Sequence, residues 1–296
     1  MKILFIIESI SKHRKDVYSD DLLMAEHFQR KHEVLVAEPK DLVMLHNEVF
    51  VRCHSYQRLK KSVRFKEKGI VIVKTFDLIY YRAMPPVEKD VFLATLILEK
   101  LSVKFCNAPA AIRNLNEKIS IFNFKEFILP SLVTGSSKDI LNFAKQYKVP
   151  LILKPLDSYQ AIGIQKVETG EKLPAINRLT MVQPYLKAVE TEGSKRVFIL
   201  KGKVAGAVTF LPRPGDFRTN YLKIYSQTEA VLSKKEQKAC ALIGVFLVHQ
   251  KVNFAALDFI GNYLMEINIT CPGGIPEYNK AYGVRLEEKI VDELLA

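Results

Sequence analysis

The sequence holds no apolar run long enough to cross a bilayer; its longest stretches, such as Met1 to Ile7, are short and soon interrupted by charge. Met1 to Ile10 also carries neither a basic leader nor a small-residue cleavage site, so secretion is not expected. Cysteine is sparse: Cys53, Cys106, Cys240 and Cys271 show no paired close spacing. That argues against a zinc-binding or disulfide framework and points to free thiols in a reducing, cytoplasmic setting. The six histidines show no i, i+4 pairing that would mark a metal helix. Glycine is absent from Glu8-Ser9-Ile10-Ser11, which follows the first apolar run, so the dinucleotide fingerprint is missing and an NAD enzyme is disfavoured. No internal repeat is present.

What remains is an ordinary globular composition, 48% hydrophobic and 26% charged over 296 residues, enough for one large core or two to three smaller ones. The net charge of +12 says that the surface or a cleft attracts anions, without saying which. Much of it lies in Arg58-Leu59-Lys60-Lys61-Ser62-Val63-Arg64-Phe65-Lys66-Glu67-Lys68, which has little apolar periodicity and reads as a solvated excursion between elements. No nucleic-acid module accompanies it, so neither nucleic acid nor membrane is an expected partner.

Met1 to Ile7 reads as a buried strand, Asp20 to Lys31 as an amphipathic helix and His32 to Ala37 as a second strand, the order of a parallel, doubly wound unit. A strand at Asp77 to Tyr81 ends at Arg82, Pro85-Pro86 breaks the chain, and helices are expected from about Glu88 to Lys100 and from Ile112 to Phe124. From about Pro130 the texture changes to strands and hairpins, with helices at Ser137 to Tyr147, Lys234 to His249 and Pro276 to the end. The fold class expected is α/β, turning α+β in the C-terminal part.

The segment Ala256 to Asn268 carries most of the chemistry. Alternation along a strand puts Glu266 and Asn268 on one face, and Asp258 lies on the partner strand. A two-residue Gly261-Asn262 loop pairs Asp258 with Met265, whereas a three-residue loop ending at Tyr263 pairs it with Glu266; the pattern leaves both open. Two carboxylates and an amide oxygen on one face form a hard ligand set suited to Mg²⁺ held together with phosphates. Lys118 is placed on a helix, and Lys154 ends the apolar strand Leu151-Ile152-Leu153, a position better explained by an anion in a cleft than by solvent. Arg196, Arg218 and Asn220 add forked or amide donors for phosphate or carboxylate oxygens. Such a set suits phosphoryl transfer, where the protein positions groups and neutralises charge.

Asp-x₇-Glu-x-Asn in this hairpin, Asn116-Glu117-Lys118, Ile152-Leu153-Lys154-Pro155-Leu156-Asp157, Gln183-Pro184-Tyr185-Leu186, Lys195-Arg196-Val197 and Arg82 with Pro85-Pro86 occur in the order and spacing of bacterial glutathione synthetases. Over essentially its whole length the chain resembles that family of the ATP-grasp superfamily. The resemblance implies a Rossmann-like N-terminal substrate domain over residues 1–118 and a two-lobed ATP-grasp domain over 119–296, with a lid lobe at about 125–190 and a C-terminal lobe at about 191–296. It implies an ADP-forming ligase that joins γ-glutamylcysteine to glycine through an acyl phosphate, and a homo-oligomer. Lys118 and Lys154 would hold ATP phosphates, and Gln183, Tyr185 and Leu186 would receive adenine, the last two through backbone groups. Asp258, Glu266 and Asn268 would bind two Mg²⁺ ions, with Mn²⁺ an acceptable substitute, beside Arg196 at the γ-phosphate. Arg218, Asn220 and Arg82, with the loop Thr270, Cys271, Gly273 and Gly274, would cradle substrate carboxylates.

The sequence departs from the family in its flexible parts. Ser158-Tyr159-Gln160-Ala161-Ile162-Gly163 stands where the family has a Gly-Met-Gly-Gly loop, and Arg218-Thr219-Asn220-Tyr221 is bulkier than the family's Arg-Gly-Asn. Met84 and Ser194 replace acids, leaving Glu190 or Glu192 for the ribose. The metal and lysine framework is kept while the covering loops change. The other readings are a ligase for a different acid or amine and a non-catalytic ATP-binding regulator.

Overall fold

The computed structural model describes residues 1–13, 18–60, 62–83, 89–219 and 224–296. The chain opens β1 (Lys2–Ile7), α1 (Ser19–Gln29), β2 (Glu33–Ala37), β3 (Leu42–Leu45), β4 (Glu48–Arg58), β5 (Val63–Ile72) and β6 (Leu78–Arg82), followed by α2 (Lys89–Leu98) and α3 (Pro109–Asn114). Strand β1 lies between β2 and β6, parallel to both. It is covered on both faces, which is why its sequence is nearly all apolar rather than alternating. Leu4 and Ile6 enter one core with Leu35 and Ile79, while Ile3, Phe5 and Ile7 enter another with Val34, Leu78 and Tyr80.

The six-stranded sheet runs β3-β4-β2-β1-β6, with β5 added on β4. The doubly wound expectation holds at its centre, but β4 joins β2 antiparallel. The basic stretch is therefore not an excursion: Arg58 ends β4, and Val63 to Lys68 belong to β5. Tyr56 pairs with Phe65 and their rings lie 6.0 Å apart, whereas Arg64, Lys66, Glu67 and Lys68 are exposed. Apolar residues at only a few alternate positions, diluted by charge, hide the period of two.

The second half contains β7 (Leu132–Thr134), α4 (Ser137–Tyr147), β8 (Leu151–Pro155), β9 (Gln165–Val167) and β10 (Thr180–Pro184). These strands form a four-stranded sheet β7-β10-β8-β9. Then come α5 (Ala188–Glu192), β11 (Ser194–Leu200), β12 (Lys203–Pro212), β13 (Ile224–Glu229), α6 (Lys234–His249), β14 (Phe254–Ile260), β15 (Tyr263–Asn268), α7 (Ile275–Tyr282) and α8 (Leu286–Leu295). The five strands are ordered β13-β12-β11-β14-β15. Helix α6 starts on a capping box in which Ser233 accepts from the Glu236 N–H and the Glu236 carboxylate accepts from Ser233 N–H.

Two expected helices are broken. The one from Pro276 divides at Gly283, whose φ of 66° closes α7 in the left-handed region. The one expected over Ile112 to Phe124 stops at Asn114. A turn follows, then a 3₁₀ stretch over Ser120–Phe127, with Phe124 out of helical conformation. The cause is Asn116, whose Oδ1 accepts from the N–H groups of Lys118 and Ile119, both at 3.0 Å, in place of helix carbonyls.

One apolar core runs from Ile3 and Phe5 of the first sheet to Phe198, Phe254, Ile275, Leu286 and Ile290, so α7 and α8 join the N-terminal sheet to the five-stranded one. Arg285 reinforces the join by donating to Glu26 at 2.6 Å. The other face of the five-stranded sheet packs on α6 through Val197, Leu257 and Ile267 against Ala239, Ile243 and Leu247. No helix among the described residues is long and apolar enough to cross a membrane.

Candidate active site

The two readings of the β14–β15 turn are reconciled by a bulge. The loop is the short one, since Ile260 pairs with Tyr263 and Phe259 with Leu264, yet Asp258 pairs with Glu266 because Met265 is an extra residue in β15. One inserted residue moves Glu266 to the face of Asp258. Ala256 pairs with Asn268, and Arg196 on β11 pairs with Asp258 from the other side, so Arg196, Asp258 and Glu266 form a row across three strands. Arg196 grips Asp258 through both oxygens, at 2.8 and 2.7 Å, and donates to Gly273 O at 3.1 Å. Asn268 Nδ2 donates to Asp258 Oδ2 at 2.9 Å. The Glu266 carboxylate faces the cavity, with Lys118 Nζ 3.9 Å away.

Lys118 comes from the turn that Asn116 caps, rather than from a helix, and donates to Ser158 O at 2.6 Å. Lys154 is buried at the end of β8; its Nζ contacts the Met265 sulfur at 3.9 Å, a weak acceptor. Burial lowers the Lys154 pKa, against the opposing pull of Glu266 and Asp258. Two ammonium groups thus face two carboxylates and an amide across one cleft. This hard oxygen set, with few fixed ligands, fits a divalent ion whose remaining ligands are phosphate oxygens. Among the described residues no three His, Cys, Asp or Glu form a cluster that would hold a metal alone.

Glu117, the middle residue of the Asn116-Glu117-Lys118 triplet, also lines the cavity. Its backbone C=O accepts from Ile267 N–H at 3.0 Å, docking the turn onto β15, and its carboxylate accepts from Thr270 N–H at 3.4 Å. Burial, with Glu266 nearby, pushes its pKa from 4.5 up to about 7. An acid with a raised folded pKa holds its proton more tightly when folded, so its contribution to stability is greatest below pH 4.5 and falls as pH rises through about 7. Glu117→Gln is expected to flatten that fall, worth on the order of 3 kcal/mol, in urea titrations of the ligand-free protein between pH 4.5 and 8.

A cavity of about 190 Å³ lies between the four-stranded and five-stranded sheets. Lys118, Lys154, Arg196, Asp258, Glu266 and Asn268 line it, together with Ile152, Ile164, Gln183, Tyr185 and Leu186. Tyr185 N–H is spent on Pro150 O at 2.8 Å, so of the two residues only Leu186 has its N–H outside that contact. Gln183 donates to Ser131 Oγ at 2.8 Å, while its buried Oε1 accepts nothing. Glu190 is engaged by the Tyr185 hydroxyl at 2.5 Å, and neither it nor Glu192 lines the cavity. The loop at 158–163 adopts the left-handed backbone that glycine favours, with φ of 50° at Gln160 and 58° at Ala161, and Ser158, Tyr159 and Gln160 line the cavity.

The residues expected to cradle substrate are more dispersed. Arg82 is buried, donating to Asp20 and, at 2.8 Å, to Pro272 O, and it lines a neighbouring chamber rather than the main cavity. Arg218 lines the main cavity but is held by Asp216 at 2.9 and 2.8 Å, which depresses the Asp216 pKa to about 2. Asn220 lies outside the described residues, as do Met84 and Pro85-Pro86. Thr270 is buried, donating its N–H to Glu117. Cys271 and Gly273 line both chambers, and burial beside Asp20 pushes the Cys271 thiol up to about 12, so it is no ready nucleophile. Gly274 has a φ of 97°, and an added Cβ there would press on Arg196 Cδ at 3.3 Å and Phe210 Cζ at 3.2 Å.

A strand-end lysine and a turn lysine facing a carboxylate hairpin between two antiparallel sheets define an ATP-grasp fold. Solved structures agree. The D-cycloserine synthetase DcsG superposes with a TM-score of 0.65 at 13% identity over 99% of this chain and 100% of that one. The macrocyclase MdnC from Microcystis aeruginosa, bound with precursor peptide MdnA, gives 0.66 at 13% over 99% and 100%. At such identities the likeness concerns the fold. The family models for the prokaryotic glutathione synthetase N-terminal domain and ATP-grasp domain match residues 1–113 and 117–283. Glutathione synthetase of Anaplasma centrale is 32% identical over 91% of this chain and 90% of its own length, and that of Gloeobacter violaceus 30% over 100% and 97%. The chain belongs to the prokaryotic glutathione synthetase family, whose members are C–N bond-forming ligases that use ATP, a divalent metal ion and small-molecule substrates.

Proposed function

We propose that the chain makes glutathione from γ-glutamylcysteine and glycine, with ATP activating the terminal carboxylate of γ-glutamylcysteine as an acyl phosphate. The observation that carries the reading is the pairing of Asp258 with Glu266 on the face that Lys118 and Lys154 look onto. Adenine lies beside Ile152 and Ile164, where the unpaired Gln183 Oε1 accepts from its amino group and Leu186 N–H donates to the ring. Lys118 and Lys154 take the phosphates. Asp258, Glu266 and Asn268 would hold two Mg²⁺ ions, and the chemistry these would supply is neutralisation of phosphate charge. Arg196 stabilises charge on the γ-phosphoryl group and, through Gly273 O, ties the carboxylate row to the 270–274 loop. Glycine's amine then attacks the acyl phosphate and phosphate leaves, so no covalent enzyme intermediate forms.

The altered loop at 158–163 favours one second reading, the same chemistry on a different acid or amine. The test is phosphate release from Mg-ATP with γ-glutamylcysteine plus glycine, against a panel of other acids and amines. Turnover at least tenfold faster with the first pair is expected. Turnover only with another pair would keep the ligase and remove its substrates, and no turnover with any pair would remove the reaction.

A further inference from the structure

Strands β14 and β15 part at one end. Their last pair there is Ala256 with Asn268, and in register Phe254 would next face Thr270, but the ladder stops. The side chain of Asn107 stands in the gap. Its Nδ2 donates to Phe254 O and to Ile269 O, both at 2.7 Å, and its Oδ1 accepts from the N–H groups of Asn253 and Phe254, both at 2.9 Å. A primary amide offers two donors and two acceptor lone pairs, and all four are used here on a residue 4% exposed. Aspartate, which when ionised only accepts, or an apolar residue could not serve the two carbonyls.

Asn107 follows a segment laid along β6: Cys106 N–H donates to Ile79 O and Ile79 N–H to Lys104 O, both at 2.9 Å. It therefore ties the sheet whose β6 ends in Arg82 to the hairpin that bears Asp258, Glu266 and Asn268. Ile267 N–H points away from β14, to Glu117 O, so in a continued strand Thr270 N–H would point toward β14 and bond Phe254 O. Asn107 takes that carbonyl instead. Past the tie the chain leaves the ladder. Thr270 N–H goes to the Glu117 carboxylate at 3.4 Å, while Pro272 O accepts from Arg82 at 2.8 Å and Gly273 O from Arg196 at 3.1 Å.

We infer that Asn107 is a positioning residue of the ligase reaction: its amide ends the β14–β15 ladder after Asn268 and so sends residues 270–274 to Glu117, Arg82 and Arg196. The inference rests on the reading of the cleft as the ligase site. Asn107 does not line the cavity and acts through the segment it releases. A pin that served only the fold would lower stability when lost and leave the rate of the folded protein alone.

Three measurements on the full chain test this. Amide-resolved hydrogen exchange of the ligand-free protein reads the end of the ladder, calorimetric titration with Mg-ADP reads the nucleotide site, and steady-state kinetics with ATP, γ-glutamylcysteine and glycine read the reaction. Asn107→Asp keeps the accepting oxygen and loses the donor; Asn107→Leu, of similar size, loses both. Each is expected to speed exchange over residues 268–274 about tenfold or more, with α6 and β11 within about twofold of wild type. Each should also lower kcat about 100-fold, with Mg-ADP binding within about threefold of wild type. Variants that are less stable but keep kcat within about twofold of wild type overturn the proposal, as does unchanged exchange over 268–274. If neither variant folds, the wild type still reports. The amides of Asn253 and Phe254, bonded to Asn107, should exchange as slowly as that of Leu257 inside β14, and exchange at the rate of an exposed loop overturns the tie. A wild type without turnover, combined with the expected change of exchange in Asn107→Asp, supports the ladder end and overturns the reaction.

Discussion

Asp258→Asn and Glu266→Gln should each lower Mg-ATP turnover by roughly three orders of magnitude or more, about 4 kcal/mol of barrier, while the protein stays folded. Both carboxylates sit on the cavity face of β14 and β15, and the apolar residues that build the hairpin, Leu257, Phe259, Leu264 and Ile267, point the other way into the core beneath α6. Asparagine at 258 can still accept from Arg196, so the row across β11, β14 and β15 survives in shape and loses charge. A carboxylate used only as a surface residue would tolerate that loss. Circular dichroism would check the fold, and coupled ADP release the turnover. Wild-type turnover in both variants removes the proposed metal site.

Lys154→Met should act with opposite signs on stability and on binding. The Lys154 ammonium is buried against a thioether, and burial depresses its pKa, the mark of a cation that has lost water without gaining an oxygen partner. Its destabilising effect is present throughout the pH range in which unfolded lysine is charged, and fades only as pH rises toward 10.5. An apolar side chain of similar volume should therefore raise ligand-free stability by about 1–3 kcal/mol. The same change removes the charge that phosphate would meet, and should weaken ATP binding by roughly one to two orders of magnitude. Thermal unfolding with and without Mg-ATP would read both. A less stable variant that binds ATP normally would show that the ammonium serves the fold and not the nucleotide.

Much of this was legible in the sequence because its signals are local. Alternation put Glu266 and Asn268 on one face, an apolar run ending in Lys154 put that ammonium at a strand end, and spacing matched a known family. What stayed hidden depends on residues far apart or on single insertions. The bulge at Met265 could not be read, because either loop length leaves a plausible alternation and the choice is made by packing. Arg82 looked like a substrate ligand, yet Asp20 occupies it from 62 residues away, a pairing no local pattern reports. Asn116 looked helical until its side chain took the N–H groups of the next turn. Strands β4 and β5 were masked because charge at most positions drowns the alternation that Tyr56 and Phe65 obey. Glu117 was visible as a neighbour of Lys118, but its burial follows from the docking of its turn on β15.

The most direct measurement of the metal and phosphate cleft is a crystal structure with ADP and Mn²⁺, using the anomalous signal of manganese. The expected result is density about 2.1 Å from oxygens of Asp258, Glu266 and Asn268, with Lys118 and Lys154 on the phosphates across from it. Manganese bound elsewhere, with those three side chains contacting neither metal nor phosphate, would contradict it.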